Sequence, residues 1–124
     1  MIFVALICIM LSQGCDSKIH IEEQVKNWPI EKFTSEKWVK AEHRERYKFY
    51  NDIINNHERN LIGSTEKEIL LLLGEPDLEE SNVRGWDKTF SYLLTKDATE
   101  WYDWFLEIRF KQGIVKHIGL ITNN

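Results

Sequence analysis

The hydrophobic pattern changes period at Gly74-Glu75-Pro76-Asp77, and this switch constrains the fold more than any other feature of the sequence. Before it, apolar residues recur at helical spacing; after it they alternate, as in strands with one buried face. The stretch LIGSTEKEILLLLGEPD, Leu61 to Asp77, writes both ends of one helix. Gly63 breaks what precedes it, and Ser64 or Thr65 caps the start. Thr65 with Glu68 forms a capping box, and Glu66 and Glu68 sit near the positive helix end. Ile69, Leu72 and Leu73 share one face, widened by Leu70 and Leu71. Gly74 suits a left-handed cap, and Pro76 forbids continuation.

An earlier helix is expected from Thr34 to Asn56, with Trp38, Phe49, Tyr50, Ile53 and Ile54 as core residues and Thr34 or Ser35 as cap. Beyond Asp77, KTFSYLL aligns Phe90, Tyr92 and Leu94. WFLEIRFK aligns Leu106, Ile108 and Phe110 against Glu107, Arg109 and Lys111, and Gln112-Gly113 turns the chain into IVKHIGLI. Strands joined by hairpins give an antiparallel meander whose apolar face the helices must cover. The expected fold is therefore α+β: two helices packed on a three-stranded antiparallel meander (ααβββ), with Trp104 to Lys111 as the central strand.

The N-terminus points to a location. Met1 to Leu11 carries no charge, is long enough for a signal-peptide hydrophobic region, and is too short for a bilayer span of roughly 20 residues. The only cysteines are Cys8, inside that run, and Cys15 just behind Gly14. Once the run is removed, Cys15 is an odd cysteine with no disulfide partner. LSQGC resembles the lipobox of bacterial lipoproteins, with Gly14 before the modified residue and Ser12 small, although Leu11 stands one position early. The expected organisation is a signal peptide over 1–14, a tether over 15–31 beginning at lipidated Cys15, and a domain over 32–124. Two or three acyl chains, at about 0.8 kcal/mol per buried methylene, give stable anchoring. The expected location is the bacterial envelope, facing the periplasm; Asp16 directly after the cysteine hints at the inner membrane. The net charge of −4, with acids and bases interspersed, argues against nucleic acid as partner.

LLLGEPD after a Gly-Ser/Thr helix start, an aromatic strand and LEIRFKQGIV together resemble the small lipoproteins of the SmpA/OmlA (BamE-like) group, over roughly Leu61 to Leu120. The pattern is also similar to the repeat of the β-lactamase-inhibitor-like fold. The resemblance implies two helices on a three-stranded antiparallel sheet. It also implies an accessory role beside the outer-membrane β-barrel assembly machine, from which the charged first helix and Asp16 depart.

The residues themselves suggest binding rather than catalysis. His20, His43, His57 and His117 show no metal-ligand spacing, no nucleophile–base pair can be named, and no cofactor motif is present. For Arg46, a bond to the sheet or to the second helix's C-terminal carbonyls is the structural alternative to a partner contact. GWDKTFSYLLTKDATEWYDWF is dense in aromatic residues, more than so small a domain can bury. Trp101, Tyr102, Trp104 and Phe105, with Arg109 on the polar strand face, are the expected partner-binding residues, because Trp, Tyr and Arg dominate interfaces. The expected function is a non-catalytic, membrane-anchored protein-binding module in envelope assembly, with another envelope protein as partner. The alternative is an immunity or inhibitor lipoprotein that neutralises a toxin or hydrolase.

Overall fold

The computed structural model describes residues 25–96 and 103–123. Four strands, β1 (Leu78–Val83), β2 (Trp86–Lys96), β3 (Asp103–Lys111) and β4 (Ile114–Asn123), form one antiparallel sheet in the order β1-β2-β3-β4. The α+β class, the antiparallel meander and the central position of β3 agree with the sequence reading. The strand count does not: β1 is a fourth strand. Its sequence LEESNV has no apolar alternation because all of it except Val83 is exposed at the sheet edge. The turns Arg84-Gly85 and Gln112-Gly113 both place two residues at positive φ, 53° and 83°, then 54° and 81°. These are two-residue hairpin turns whose twist matches the strands, and glycine takes the second position without steric penalty.

The expected helix Thr34–Asn56 is broken in two. α1 (Ser35–Lys40) is capped by Thr34, whose hydroxyl accepts from the Lys37 amide, and it ends at Ala41, which is extended at ψ 149°. The second helical run, α2, covers residues 43–61. It passes from 3-10 (His43–Phe49) through α (Tyr50–Asp52) and π (Ile53–His57) back to α (Glu58–Leu61). No Gly or Pro marks the break. The Arg46 side chain holds it instead: its Nε donates to the Trp38 carbonyl at 3.0 Å, and its guanidinium lies 4.6 Å from the Trp38 ring centre. Arg46 thus caps the first helix, not the sheet or the later one. α3 (Glu66–Leu73) carries the expected capping box, and Gly74 has φ 81°.

The helices lie on one face of the sheet. Trp38, Phe49, Ile53, Ile69 and Leu73 pack on Phe90, Tyr92, Leu106, Ile108 and Phe110. Val39 is exposed, and Leu72 is only partly buried. Three carbonyls at the C-terminal end of α3 are taken by side chains. Ser35 Oγ donates to Leu72 O (2.6 Å), Trp38 Nε1 to Leu73 O (2.9 Å) and Tyr92 Oη to Gly74 O (2.8 Å). Burial pushes the Tyr92 hydroxyl pKa upward. These bonds join α1, α3 and β2 at one point.

Part of the expected tether belongs to this packed unit. The Trp28 ring meets those of Tyr47, Tyr50 and Trp104 edge-on at 5.5–5.8 Å, Asn51 Nδ2 donates to Val25 O, and the Glu31 amide donates to Lys48 O. Asp52 completes the attachment. It is buried and accepts from the Phe33 amide (2.8 Å) and Asn56 Nδ2 (2.6 Å), with His57 Nε2 at 3.1 Å. In an α-helix, residues five apart point roughly 140° away from each other. The π turn, with its wider ring, brings Asp52 and His57 together.

The Phe33 amide, then Asn56, hold the Asp52 carboxyl below its ordinary value. A depressed folded value means that its stabilisation is complete above about pH 4 and is lost as pH falls through the folded value. Asp52→Asn should therefore destabilise the domain by about 1.5–3 kcal/mol at pH 7. The gap to the unmodified chain should shrink as urea melts are taken from pH 4 toward pH 2. A gap that stays constant across that range would show that the carboxylate's charge contributes nothing.

Candidate functional site

Among the described residues every helix lies on one side, and the other face of the sheet is built by strand residues. The register of β2, β3 and β4 sets three cross-strand rows on it: Leu93–Phe105–Ile121, Ser91–Glu107–Gly119 and Thr89–Arg109–His117. The first row is apolar and the next two are polar.

Two of the expected partner-binding residues are not surface residues. Trp104 is 2% exposed and faces the helices, where the Trp28 ring covers it. Phe105 is 5% exposed on the outer face, between Leu93 and Ile121, and stands outside the main core cluster. The exposed aromatic patch predicted around them is corrected at these two positions: period 2 puts them on opposite faces, and neighbours bury both. Trp101 and Tyr102 lie outside the described residues, as do Cys15 and His20. Arg109 does lie on the outer face as expected, and it is part of a larger arrangement.

Glu107, expected on a solvated strand face, is 1% exposed. Its Oε1 accepts from Arg109 Nε at 2.6 Å, and its Oε2 accepts from Arg84 Nη2 at 3.2 Å. The buried carboxylate therefore fixes two guanidinium groups in position, one from β3 and one from the β1–β2 turn. Such charge-assisted bonds orient as well as hold. The Trp86 ring lies beneath the cations, 5.5 Å from the Arg109 guanidinium carbon and 5.9 Å from Lys111 Nζ, and 6.3 Å from the His117 ring. Gly119 makes room for this: a Cβ there would meet the His117 ring at 2.9 Å. The result is a half-exposed group of Arg, Lys, His and Trp over a buried acid. Arg84, Trp86 and His117 were not singled out from sequence. The dipeptide Arg84-Gly85, read as a hairpin turn, was the available signal, since it places Arg84 and Trp86 at the end of a strand pair.

Two other places could bear chemistry. A groove of about 450 Å³ between α1, α2 and α3 is lined by residues including Phe33, His57, Asn60, Ile69 and Leu72. His57 is oriented there by Asp52, an arrangement that suits an imidazole to proton transfer. Among the described residues no hydroxyl bonds to it: Ser64 Oγ donates to Asn60 O, and Ser35 Oγ to Leu72 O. The second place is Asp77, which accepts from the Leu93 amide (2.7 Å) and lies 2.7 Å from His43 Nδ1. This pins the loop after α3 to β2. Among the described residues no three His, Cys, Asp or Glu side chains gather as metal ligands, and no helix is long and apolar enough to cross a membrane.

The chain matches no protein-family model, no curated protein and no solved structure.

Proposed function

We propose that the protein is a lipid-anchored module of the bacterial envelope, BamE-like in design, that binds another envelope protein through the outer face of its sheet. The observation that carries this reading is the Arg84–Glu107–Arg109 arrangement over Trp86. Arg and Trp are the side chains that dominate protein interfaces, and here a buried carboxylate and a ring face hold the cations in place before any partner arrives. Leu93 and Ile121, half-buried on either side of the buried Phe105, add apolar surface beside it. The helix face is taken up by the core; among the described residues the exposed part of the outer face is the end that carries Arg84, Trp86, Lys111 and His117, and this end presents side chains for recognition.

The anchor rests on the apolar run Met1 to Leu11 followed by Gly14-Cys15. Mass spectrometry of the mature N-terminus should find diacylglycerol on Cys15, and an intact Met1 or an unmodified cysteine would remove the anchor from the proposal. For the binding face, photo-crosslinkers placed in cells at Lys111 and His117 should capture a discrete partner, while one at Lys67 on α3 should not. Capture only from Lys67 would overturn the choice of face. No capture from any position would overturn the module itself.

A further inference from the structure

The two edges of the sheet are not alike. β1 is short, carries Glu79 and Glu80, is exposed nearly throughout, and has Asn82 in the left-handed region at φ 55°. Acidic charge and a residue out of extended geometry are the devices by which sheets keep edges from pairing. β4 has neither beyond its start. The loop before α3 closes its first residues: the Gly63 amide donates to Val115 O, the Val115 amide to Ser64 O, and Thr65 bridges Ile114. A bulge at Lys116 follows, where Arg109 pairs with His117 but Phe110 pairs with Val115. From Ile118 to Thr122 the strand reads IGLIT, uncharged and rich in β-formers. Among the described residues, no backbone group bonds to its outer edge.

We infer that this edge, Lys116 to Thr122, is a self-association surface at which a second copy of the chain adds its own β4 antiparallel, joining two four-stranded sheets into one. Charge selects both edge and occupant. A two-fold axis at Gly119 sets Ile118 beside Leu120, His117 beside Ile121 and Lys116 beside Thr122, so no like charges face each other. The same operation on β1, centred at Glu80, sets glutamate directly against glutamate, which is destabilising. Head-to-tail pairing of β4 with β1 must accommodate Asn82 and leaves no two-fold closure. An isologous β4–β4 contact closes after two copies. On the outer face the row Leu93–Phe105–Ile121 of one copy then runs on into the His117–Arg109–Thr89 row of the other. This inference does not rest on the partner reading above; the two share His117, so a crosslink from His117 to a second copy belongs to the edge and one from Lys111 to another protein belongs to the face.

The test takes the full chain in detergent solution through sedimentation equilibrium, with hydrogen exchange measured on the same samples over a hundredfold range of concentration. The expected result is a monomer–dimer equilibrium in which amides of residues 116–122 gain protection as dimer forms. Ile121→Lys should weaken association at least tenfold. The exchange measurement on the unmodified chain decides the matter even if that variant folds poorly. A monomer at every concentration overturns the inference. So does a dimer whose protection falls on β1 or the outer face, or β4 protection that does not vary with concentration, since the edge would then be covered by its own chain.

Discussion

Trp38→Ala should destabilise the domain by about 3–5 kcal/mol, the largest effect expected of a single substitution here. Trp38 is fully buried, and its ring meets Phe33, Phe49 and Tyr92 at centre distances of 5.9–6.2 Å. Truncation leaves a cavity at the point where α1, α2 and the sheet converge. It also leaves the Leu73 carbonyl without the indole donor and removes the ring face from the buried Arg46 guanidinium. Arg46 suffers most from this change. Burial already pushes its pKa downward, and one of its nitrogens, Nη1, has no hydrogen-bond partner among the described residues. The Trp38 backbone carbonyl still accepts from Arg46 Nε, so the cation loses the ring face beside a nitrogen that is already unpaired, and that loss is expensive in a buried site. Trp38→Phe separates the terms: it keeps most of the volume and the ring but removes the N–H, and should cost about 1–3 kcal/mol. Urea melts at pH 7 measure both. A Trp38→Ala penalty below about 1 kcal/mol would show that the three elements hold together without the indole.

What the sequence disclosed, and what it did not, follows from where the determining interactions lie. The ends of α3 were legible because caps are local: Thr65 and Glu68 lie within one turn, and Gly74-Glu75-Pro76 adjoins the last helical residue. β3 was legible because one buried face imposes period 2 on its residues. The break between α1 and α2 was not legible, since Arg46 and Trp38 hold it through tertiary contact and no local residue forbids a continuous helix. β1 escaped for the opposite reason: an exposed edge strand has no buried face to impose a pattern. The outer face was misread at Glu107 and Phe105, because a polar or aromatic residue on the solvent side of a strand is expected to be wet. Cross-strand neighbours and the reach of Arg84, none of them encoded nearby, bury both. Arg109 was placed correctly on that face, but the Trp86 ring beneath it comes from a hairpin the pattern did not reveal.

The four consecutive leucines of α3 give the second large expectation, because sequence alone cannot rank them. Leu73 is fully buried and packs into the core with Ile69, Leu72 is partly buried along the groove beside Phe33 and His57, and Leu71 is 76% exposed. Helical geometry explains the order: one residue advances the side chain by roughly 100°, so neighbours in a short helix pass from core to rim to solvent. Leu73→Ala should cost about 2–5 kcal/mol, since the tightly packed site cannot collapse around the missing atoms. Leu72→Ala should cost about 1–2 kcal/mol, because part of its surface already meets water and the groove can adjust. Leu71→Ala should fall within about 0.5 kcal/mol of the unmodified chain. The Leu73 carbonyl stays bonded to Trp38 Nε1 in every variant, so the series reports side-chain burial rather than loss of the helix end. Denaturant midpoints with unchanged slopes would measure it. Equal losses at Leu71 and Leu73 would mean that α3 does not present Ile69 and Leu73 to the sheet, and the placement of the helices on that face would fall with it.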